Sequence, residues 1–252
     1  MNRGFFVAAL AGFVLSVAGC SKSGSSTPHP GKAGQPSTKR ADGTPIELQY
    51  VPEGFPFGMA VSQGSALQLF ESPGGGQQFK QLPPETGGKR YYDEFTLAGR
   101  AHLVVTEEGP PLRMHFDENR NGNLTDDRGP FIAENQTFLP NNLSIQIRHD
   151  DEKVIVPYRM WLFTSNMGGV RFYPTCHWRG TLSLDGRDYP FIAFDGNADG
   201  DYSNDPIVLD QDGDGKAGGS ETLRPGEAIT LGSTTVKYIG ISPSGLTARF
   251  NW

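Results

Sequence analysis

Beyond Ile46 the chain alternates apolar and polar residues over much of its length. Leu143, Ile145 and Ile147 are separated by polar residues, and a turn-like run from His149 to Lys153 follows. Val154, Val156, Tyr158, Met160 and Leu162 then repeat the same spacing. Successive side chains of a strand point to opposite faces, so period two marks a half-buried strand and the pair predicts a hairpin. At the C-terminus Leu246, Ala248, Phe250 and Trp252 alternate with Thr247, Arg249 and Asn251. Short alternating runs broken by turn residues predict an all-β fold, sandwich or barrel-like, of about ten to twelve strands.

Turn-forming residues sharpen this picture. The 252 residues include 33 Gly and 19 Pro, and past the N-terminal leader only residues 141–156 run longer than ten without either. Helices average about 11–12 residues, so a helix bundle or a doubly wound α/β fold has almost nowhere to sit. The chain also repeats itself at an offset of 78, which lays residues 101–127 over residues 179–205. Leu112 to Phe116 falls on Pro190 to Phe194, and Asp117, Asn119, Gly122 and Asp127 fall on Asp195, Asn197, Gly200 and Asp205. Each copy is a strand that ends in an aromatic residue and runs into an acidic loop. The body, residues 46–252, therefore reads as two pseudo-repeats, about 90–168 and 169–252. They form two similar β-lobes or one sandwich built from a duplicated unit.

The acidic loops carry the chemistry. Asp117-Glu118-Asn119-Arg120-Asn121-Gly122 and Asp195-Gly196-Asn197-Ala198-Asp199-Gly200 both read D-x-N-x-[DN]-G. A third run, Asp210-Gln211-Asp212-Gly213-Asp214-Gly215, reads D-x-D-x-D-G and reaches Glu221 at position twelve. This pattern resembles the calcium loop of EF-hand proteins. The resemblance implies side-chain oxygens at positions one, three and five, a glycine at six for the sharp turn, a carbonyl at seven and a closing carboxylate. On that template the third loop offers Asp210, Asp212, Asp214, the Lys216 carbonyl and Glu221. The second offers Asp195, Asn197, Asp199, Asp201 and Asp205, and the first Asp117, Asn119, Asn121, Asn123 and Asp127.

Three departures qualify the likeness. Position eight of the third loop is Ala217, followed by Gly218 and Gly219, and no flanking sequence is helical. Position twelve of the other two loops is Arg128 or Pro206, with an Asp one residue earlier. Those loops are more similar to the helix-free D-x-D-x-D-G loops of extracellular repeat proteins. Charge agrees with an ion. The chain has 28 acidic and 22 basic residues, a net of −6, while residues 195–221 alone hold eight acids and one lysine. Seven unbalanced charges in so short a window repel strongly unless a cation neutralises them. Ca²⁺ suits flexible all-protein oxygen shells better than Mg²⁺ does. Nucleic-acid binding is not expected, because no Lys/Arg cluster offsets the acidity.

The first twenty residues, MNRGFFVAALAGFVLSVAGC, have one arginine, an apolar run and small residues before a cysteine. This is secretory signal grammar, and Val17-Ala18-Gly19-Cys20 resembles the lipobox of bacterial lipoproteins. The resemblance implies that residues 1–19 are removed and that Cys20 is acylated, anchoring the protein to the membrane of the cell envelope. Ser21 after the cysteine implies outer-membrane sorting where the cell has an outer membrane. Residues 21–45 contain sixteen Ser, Gly, Pro or Thr in 25 positions and no aromatic, Val, Ile, Leu or Met. Such a segment behaves as a tether spanning roughly 27 Å on average.

Other side chains carry less. Cys176 lacks an intramolecular partner if Cys20 is lipidated, and it reads as a buried thiol and not as a nucleophile with His177. His115 is expected to face solvent. Trp161, Trp178, Tyr91 and Tyr92 form a sugar platform or, more simply, core. HExxH, G-x-S-x-G and P-loop motifs are absent, and Ala60-Val61-Ser62-Gln63-Gly64 misses the nucleophile elbow. The sequence thus favours a lipid-anchored β-domain in which calcium is structural. The rival readings are a calcium-dependent carbohydrate-active enzyme and a glycan- or protein-binding module.

Overall fold

The computed structural model describes residues 43–54, 65–134, 137–164 and 170–252. The expected leader, Cys20, the expected tether up to residue 42 and the 60–64 segment lie outside the described residues. In chain order the strands are β1 Thr44–Glu47, β2 Gln49–Val51, β3 Ser65–Ala66, β4 Arg90–Leu97, β5 Arg100–Glu107 and β6 Arg113–Phe116. Next come β7 Phe131–Glu134, β8 Thr137–His149, β9 Val154–Thr164, β10 Val170–Pro174, β11 His177–Leu184 and β12 Arg187–Ala193. The last are β13 Ile207–Leu209, β14 Thr222–Leu223, β15 Ala228–Leu231, β16 Thr234–Ile241 and β17 Thr247–Asn251. Apart from one 3₁₀ turn, Tyr202–Asn204, no helix occurs among the described residues. The fold is all-β, as its alternation predicts. The described residues form seventeen strands against the ten to twelve expected, and four of the excess, β2, β3, β13 and β14, have only two or three residues, too few to show a period.

The strands form three open antiparallel sheets. One has eight strands in the order β3-β10-β9-β8-β7-β6-β5-β4, one has five in the order β14-β13-β12-β11-β2, and one has four in the order β1-β17-β16-β15. The predicted hairpin is β8–β9, with Leu143 opposite Met160, Ile145 opposite Tyr158 and Ile147 opposite Val156, all six buried. The large sheet curls until strands near its two ends meet: Phe95 of β4 packs 4.6 Å from Phe172 of β10 and stacks 4.8 Å from Phe116 of β6. Residues 65–70 stitch the ends. Leu67 N–H donates to the Val170 carbonyl at 2.9 Å, and Phe70 exchanges two backbone bonds with Tyr92.

A single main core draws on all three sheets, including Leu143, Tyr158 and Phe172, Trp178 and Phe191, and Tyr238 and Phe250. Phe191 of β12 meets Phe250 of β17 edge to face at 5.1 Å. The two pseudo-repeats supply hairpins to different sheets, β5–β6 to the eight-stranded one and β11–β12 to the five-stranded one. Their pairing also differs. Val104 faces Phe116, whereas Leu182, its counterpart 78 residues on, faces Tyr189, five positions short of the equivalent partner. The repeat therefore holds along the second strand and its loop but not across the hairpin.

A buried ion pair fixes the rim of the large sheet. Arg90 donates to Glu107 Oε2 through Nε and Nη2, each at 3.2 Å, and to the Pro83 carbonyl at 2.8 Å. Glu107 Oε1 accepts from the Thr86 hydroxyl, from Thr86 N–H at 2.6 Å and from Gly88 N–H at 3.3 Å. Burial pushes the Glu107 carboxyl up, but the Thr86, Gly88 and Arg90 donors outweigh it and hold the group at about 2, against 4.5 ordinarily. A carboxylate with a depressed folded pKa adds stability above its unfolded value and loses it as the pH falls through the folded one. Glu107→Gln should therefore destabilise the protein by about 3–5 kcal/mol at neutral pH, the cost of leaving a buried guanidinium unpaired. Urea unfolding at a series of pH values should show that deficit shrinking from pH 4.5 toward 2.

Candidate metal centre

Each acidic loop leaves a strand directly. Loop 1 (residues 117–127) follows β6, loop 2 (195–205) follows β12 and loop 3 (210–221) joins β13 to β14. The first two share one internal hydrogen-bond pattern, and in the third the first carboxylate accepts from position four in place of five. The position-one carboxylate accepts two backbone N–H groups: Asp117 from Asn121 and Gly122 at 3.1 and 2.9 Å, Asp195 from Asp199 and Gly200 at 3.2 and 2.7 Å, and Asp210 from Gly213 and Gly215 at 2.8 and 3.3 Å. The position-three oxygen accepts from the residue two along, at 2.9 Å for Asn119, 3.1 Å for Asn197 and 3.0 Å for Asp212. Asn121, Asp199 and Asp214 repeat this at position five, at 2.6, 2.8 and 2.8 Å. Asn123 and Asp201 do so at position seven, at 3.0 and 2.9 Å.

Backbone conformation agrees. Positions four and six are left-handed in all three loops: Arg120 and Gly122 at φ 62° and 79°, Ala198 and Gly200 at 60° and 75°, Gly213 and Gly215 at 80° and 71°. An L-residue in that region costs about 1–2 kcal/mol, so Arg120 and Ala198 stay there only because the amide-to-carboxylate bonds around them fix the turn. The closing acids also coincide, whether at position eleven or twelve. Asp205 accepts from Gly196 N–H at 3.1 Å, Glu221 from Gln211 N–H at 2.8 Å, and Asp127 from the Glu118 and Asn119 amides.

Two residues of the loops' bonding pattern escaped the sequence reading. In loop 1 the Asn121 amide donates to Asp126 at 2.8 Å; in loop 2 the Asn204 amide donates to Asp199 at 3.3 Å. Asp126 and Asn204 are both position ten, so the loops hold the same amide–carboxylate pair with its members exchanged. That exchange was visible in the aligned copies. A third omission, Tyr158, was not: its hydroxyl donates to Asp195 Oδ2 at 2.6 Å from 37 residues away.

The loops differ in how deeply they are set. Asp195 is 1% exposed and Asp205 5%, whereas in loop 3 Asp210 is buried but Asp212 and Asp214 are exposed. The carboxylate oxygens of Asp210, Asp212 and Asp214 nevertheless gather within 4.8 Å of one another. The buried carboxylates of the loops crowd one another. Burial pushes Asp195 up to about 6, burial and the Asp195 charge push Asp205 to about 7, and burial and the Asp117 charge push Asp127 to about 6. A bound cation inverts that logic, since it favours the ionised form of every oxygen facing it.

The remaining expectations fare unevenly. His115 does not face solvent. It is buried beside the Arg90–Glu107 pair, because its pairing with Val105 turns the ring under that rim, and burial and Arg90 lower its pKa. The histidine at loop 1 is instead His102, stacked on Phe95 and Phe116 with Nδ1 2.9 Å from the Asp117 carbonyl. Cys176 is a buried free thiol beside the Tyr202 hydroxyl and the Arg159 amide, and burial raises its pKa. The four aromatics form no common platform. Trp178 is 3% exposed in the core and Trp161 41% exposed on β9, while Tyr92 packs on Phe79 and the Tyr91 hydroxyl donates to Glu108. Two cavities of about 430 Å³ are lined by no aromatic residue, and one of them, around Glu118, Arg120, Asp126 and Arg128, belongs to loop 1.

Comparison with protein-family models, curated proteins and solved structures finds no match.

The glycines rank the loops experimentally. A Cβ on Gly200 would lie 3.0 Å from the Ala98 amide nitrogen and 3.3 Å from Ile147 and Leu97, whereas one on Gly215 would meet nothing within 4 Å. Both residues have φ above +70°. Gly215→Ala should cost only the backbone strain, about 1–2 kcal/mol, and Gly200→Ala that amount plus about 1–3 kcal/mol of overpacking. Parallel urea melts without calcium check this; equal losses would deny loop 2 its tighter setting.

Proposed function

We propose that this protein is an extracytoplasmic, lipid-anchored β-domain whose acidic loops bind calcium, and that the ion serves the fold. The observation behind this reading is the agreement of the three loops. Different residues, in two copies and a third unrelated run, produce the same position-six amide bond to the first carboxylate and the same i-to-i+2 bonds at positions three and five. They also share one pair of left-handed positions and a closing acid that accepts the position-two amide. Solvated turns need no such agreement. The ligands would be the oxygens at positions one, three and five, the position-seven carbonyl, and Asp127, Asp205 or Glu221, a hard-oxygen set suited to Ca²⁺. The ion would add charge neutralisation where buried carboxylates face one another.

Calcium in extracellular modules binds at about 10⁻⁴–10⁻³ M. With a dissociation constant near 0.1 mM and about 2 mM calcium, one site adds roughly RT ln 21, or ~1.8 kcal/mol. EGTA should accordingly lower the melting temperature by several degrees, about 4–7 °C for a domain of this size. Asp212→Ala should remove part of the calcium gain while leaving the calcium-free melting point unchanged or higher, since one exposed repelling charge has gone. Asp195→Ala should remove part of the gain and also lower the calcium-free melting point, because the buried Tyr158 hydroxyl and two loop amides lose their acceptor. Scanning calorimetry with and without EGTA, backed by titration calorimetry, decides it. No shift and no heat up to several millimolar calcium would return the loops to plain turns.

The anchor is tested separately. Intact mass of the protein expressed in a bacterial host should give a chain beginning at acylated Cys20. Cys20→Ser should release or mis-process it, because stable attachment needs several acyl chains acting together. An unmodified mature chain would remove the anchor from this reading.

A further inference from the structure

We infer that loop 2 is the primary calcium site and that an ion there acts as a clasp joining the three sheets, so that calcium controls their assembly. This rests on the calcium reading above and adds a rank order and a role. The loop is bonded to every sheet. Asp195 leaves β12 of the five-stranded sheet and receives the Tyr158 hydroxyl from β9 of the eight-stranded one at 2.6 Å. The Asp199 carbonyl accepts from Ala98 N–H at the β4–β5 turn at 2.7 Å. Tyr202 N–H donates to the Pro243 carbonyl, in the β16–β17 turn of the four-stranded sheet, at 3.0 Å. Neither of the other loops makes all three connections among the described residues.

A second observation points to a ligand. Asp205 is 95% buried, yet its Oδ2 has no hydrogen-bond partner, and the nearby Tyr238 hydroxyl is buried and unpartnered as well. Unsatisfied buried carboxylate oxygens are costly and rare, and a cation is the group that satisfies one lying beside a second carboxylate. Loop 3 lacks this feature. Both oxygens of its closing Glu221 already accept amides, from Gln211 at 2.8 Å and Gly218 at 2.5 Å. In loop 1 the Oδ2 of Asp127 is likewise unpartnered, but Asp127 is only partly buried. Affinity in such loops follows ligand charge and rigidity. Loop 2 carries four aspartates at or beside the shell, Asp195, Asp199, Asp201 and Asp205, in the most constrained setting.

The test is a calcium titration of the whole mature chain by calorimetry, with terbium luminescence excited through the tyrosines as a second readout. Wild type should show one tight step and one or more weaker ones. Asp205→Asn keeps the side-chain shape and removes a repelling charge, so the apo protein should fold; it should lose the tight step, weakening it at least about tenfold. Tyr158→Phe removes only the hydroxyl behind Asp195 and should weaken the same step by about tenfold, leaving the weaker steps alone. Asp214→Asn should alter a weaker step only. A tight step that survives Asp205→Asn, or vanishes in Asp214→Asn, would overturn this inference and leave the calcium reading standing. No binding by wild type would overturn both.

Discussion

Asp195 lies two residues beyond the central strand β12 with its carboxylate inside the protein, and the surrounding structure has to accommodate that charge. Two backbone amides of its own loop and the Tyr158 hydroxyl converge on it. Asp205 closes over it as a second buried acid. Donors make one buried carboxylate tolerable; two facing each other need more than donors. The loop geometry, the glycine at position six and the contacts to neighbouring sheets all follow from holding these acids together. Holding two acids beside an aromatic core costs stability, a cost that the proposed calcium ion would offset.

The architecture explains why the loops sit where they do. Three open sheets sharing one core leave strand ends close together, and strand ends are where backbone groups lack ladder partners. A loop whose side chains accept its own amides satisfies those groups locally, without a helix. That is why the D-x-[DN]-x-[DN]-G pattern works here between β-strands, although it resembles the loop of a helix–loop–helix unit. The 3₁₀ turn Tyr202–Asn204, capped by Asp201, is all the helix that loop 2 needs to bring Asp205 back over Asp195.

Much of this was legible in the sequence because its causes are local. The β8–β9 hairpin could be read because Leu143, Ile145 and Ile147 and, across from them, Val156, Tyr158 and Met160 bury one face without a break. The loops could be read because their chemistry lies within twelve residues. What escaped depends on distant partners. β13 and β14 are strands only because β12 is already there to pair with. His115 was assigned to solvent because nothing near it in sequence announces the Arg90–Glu107 pair. The offset of 78 carried the strand-and-loop correspondence correctly, yet hairpin register depends on connection length: five residues follow β5 and two follow β11.

Sequence likeness and structural integration rank the loops in opposite order, and the physics favours the second ranking. Loop 3 has the fullest D-x-D-x-D-G pattern and a glutamate at position twelve, but its outer acids are exposed and the Lys216 ammonium lies 3.9 Å from Asp214. Water already screens those charges, so an ion gains little by replacing it. Loop 2 matches the pattern less well, with Asn197 at position three and no acid at twelve. Its carboxylates, however, are held in a poorly screened interior where each charge interacts strongly. A motif counts ligands, whereas the free energy of binding depends on how little those ligands must move and how poorly they are otherwise solvated. An ion bound at loop 2, as proposed, would therefore act on the packing of all three sheets, and one at loop 3 mainly on loop 3.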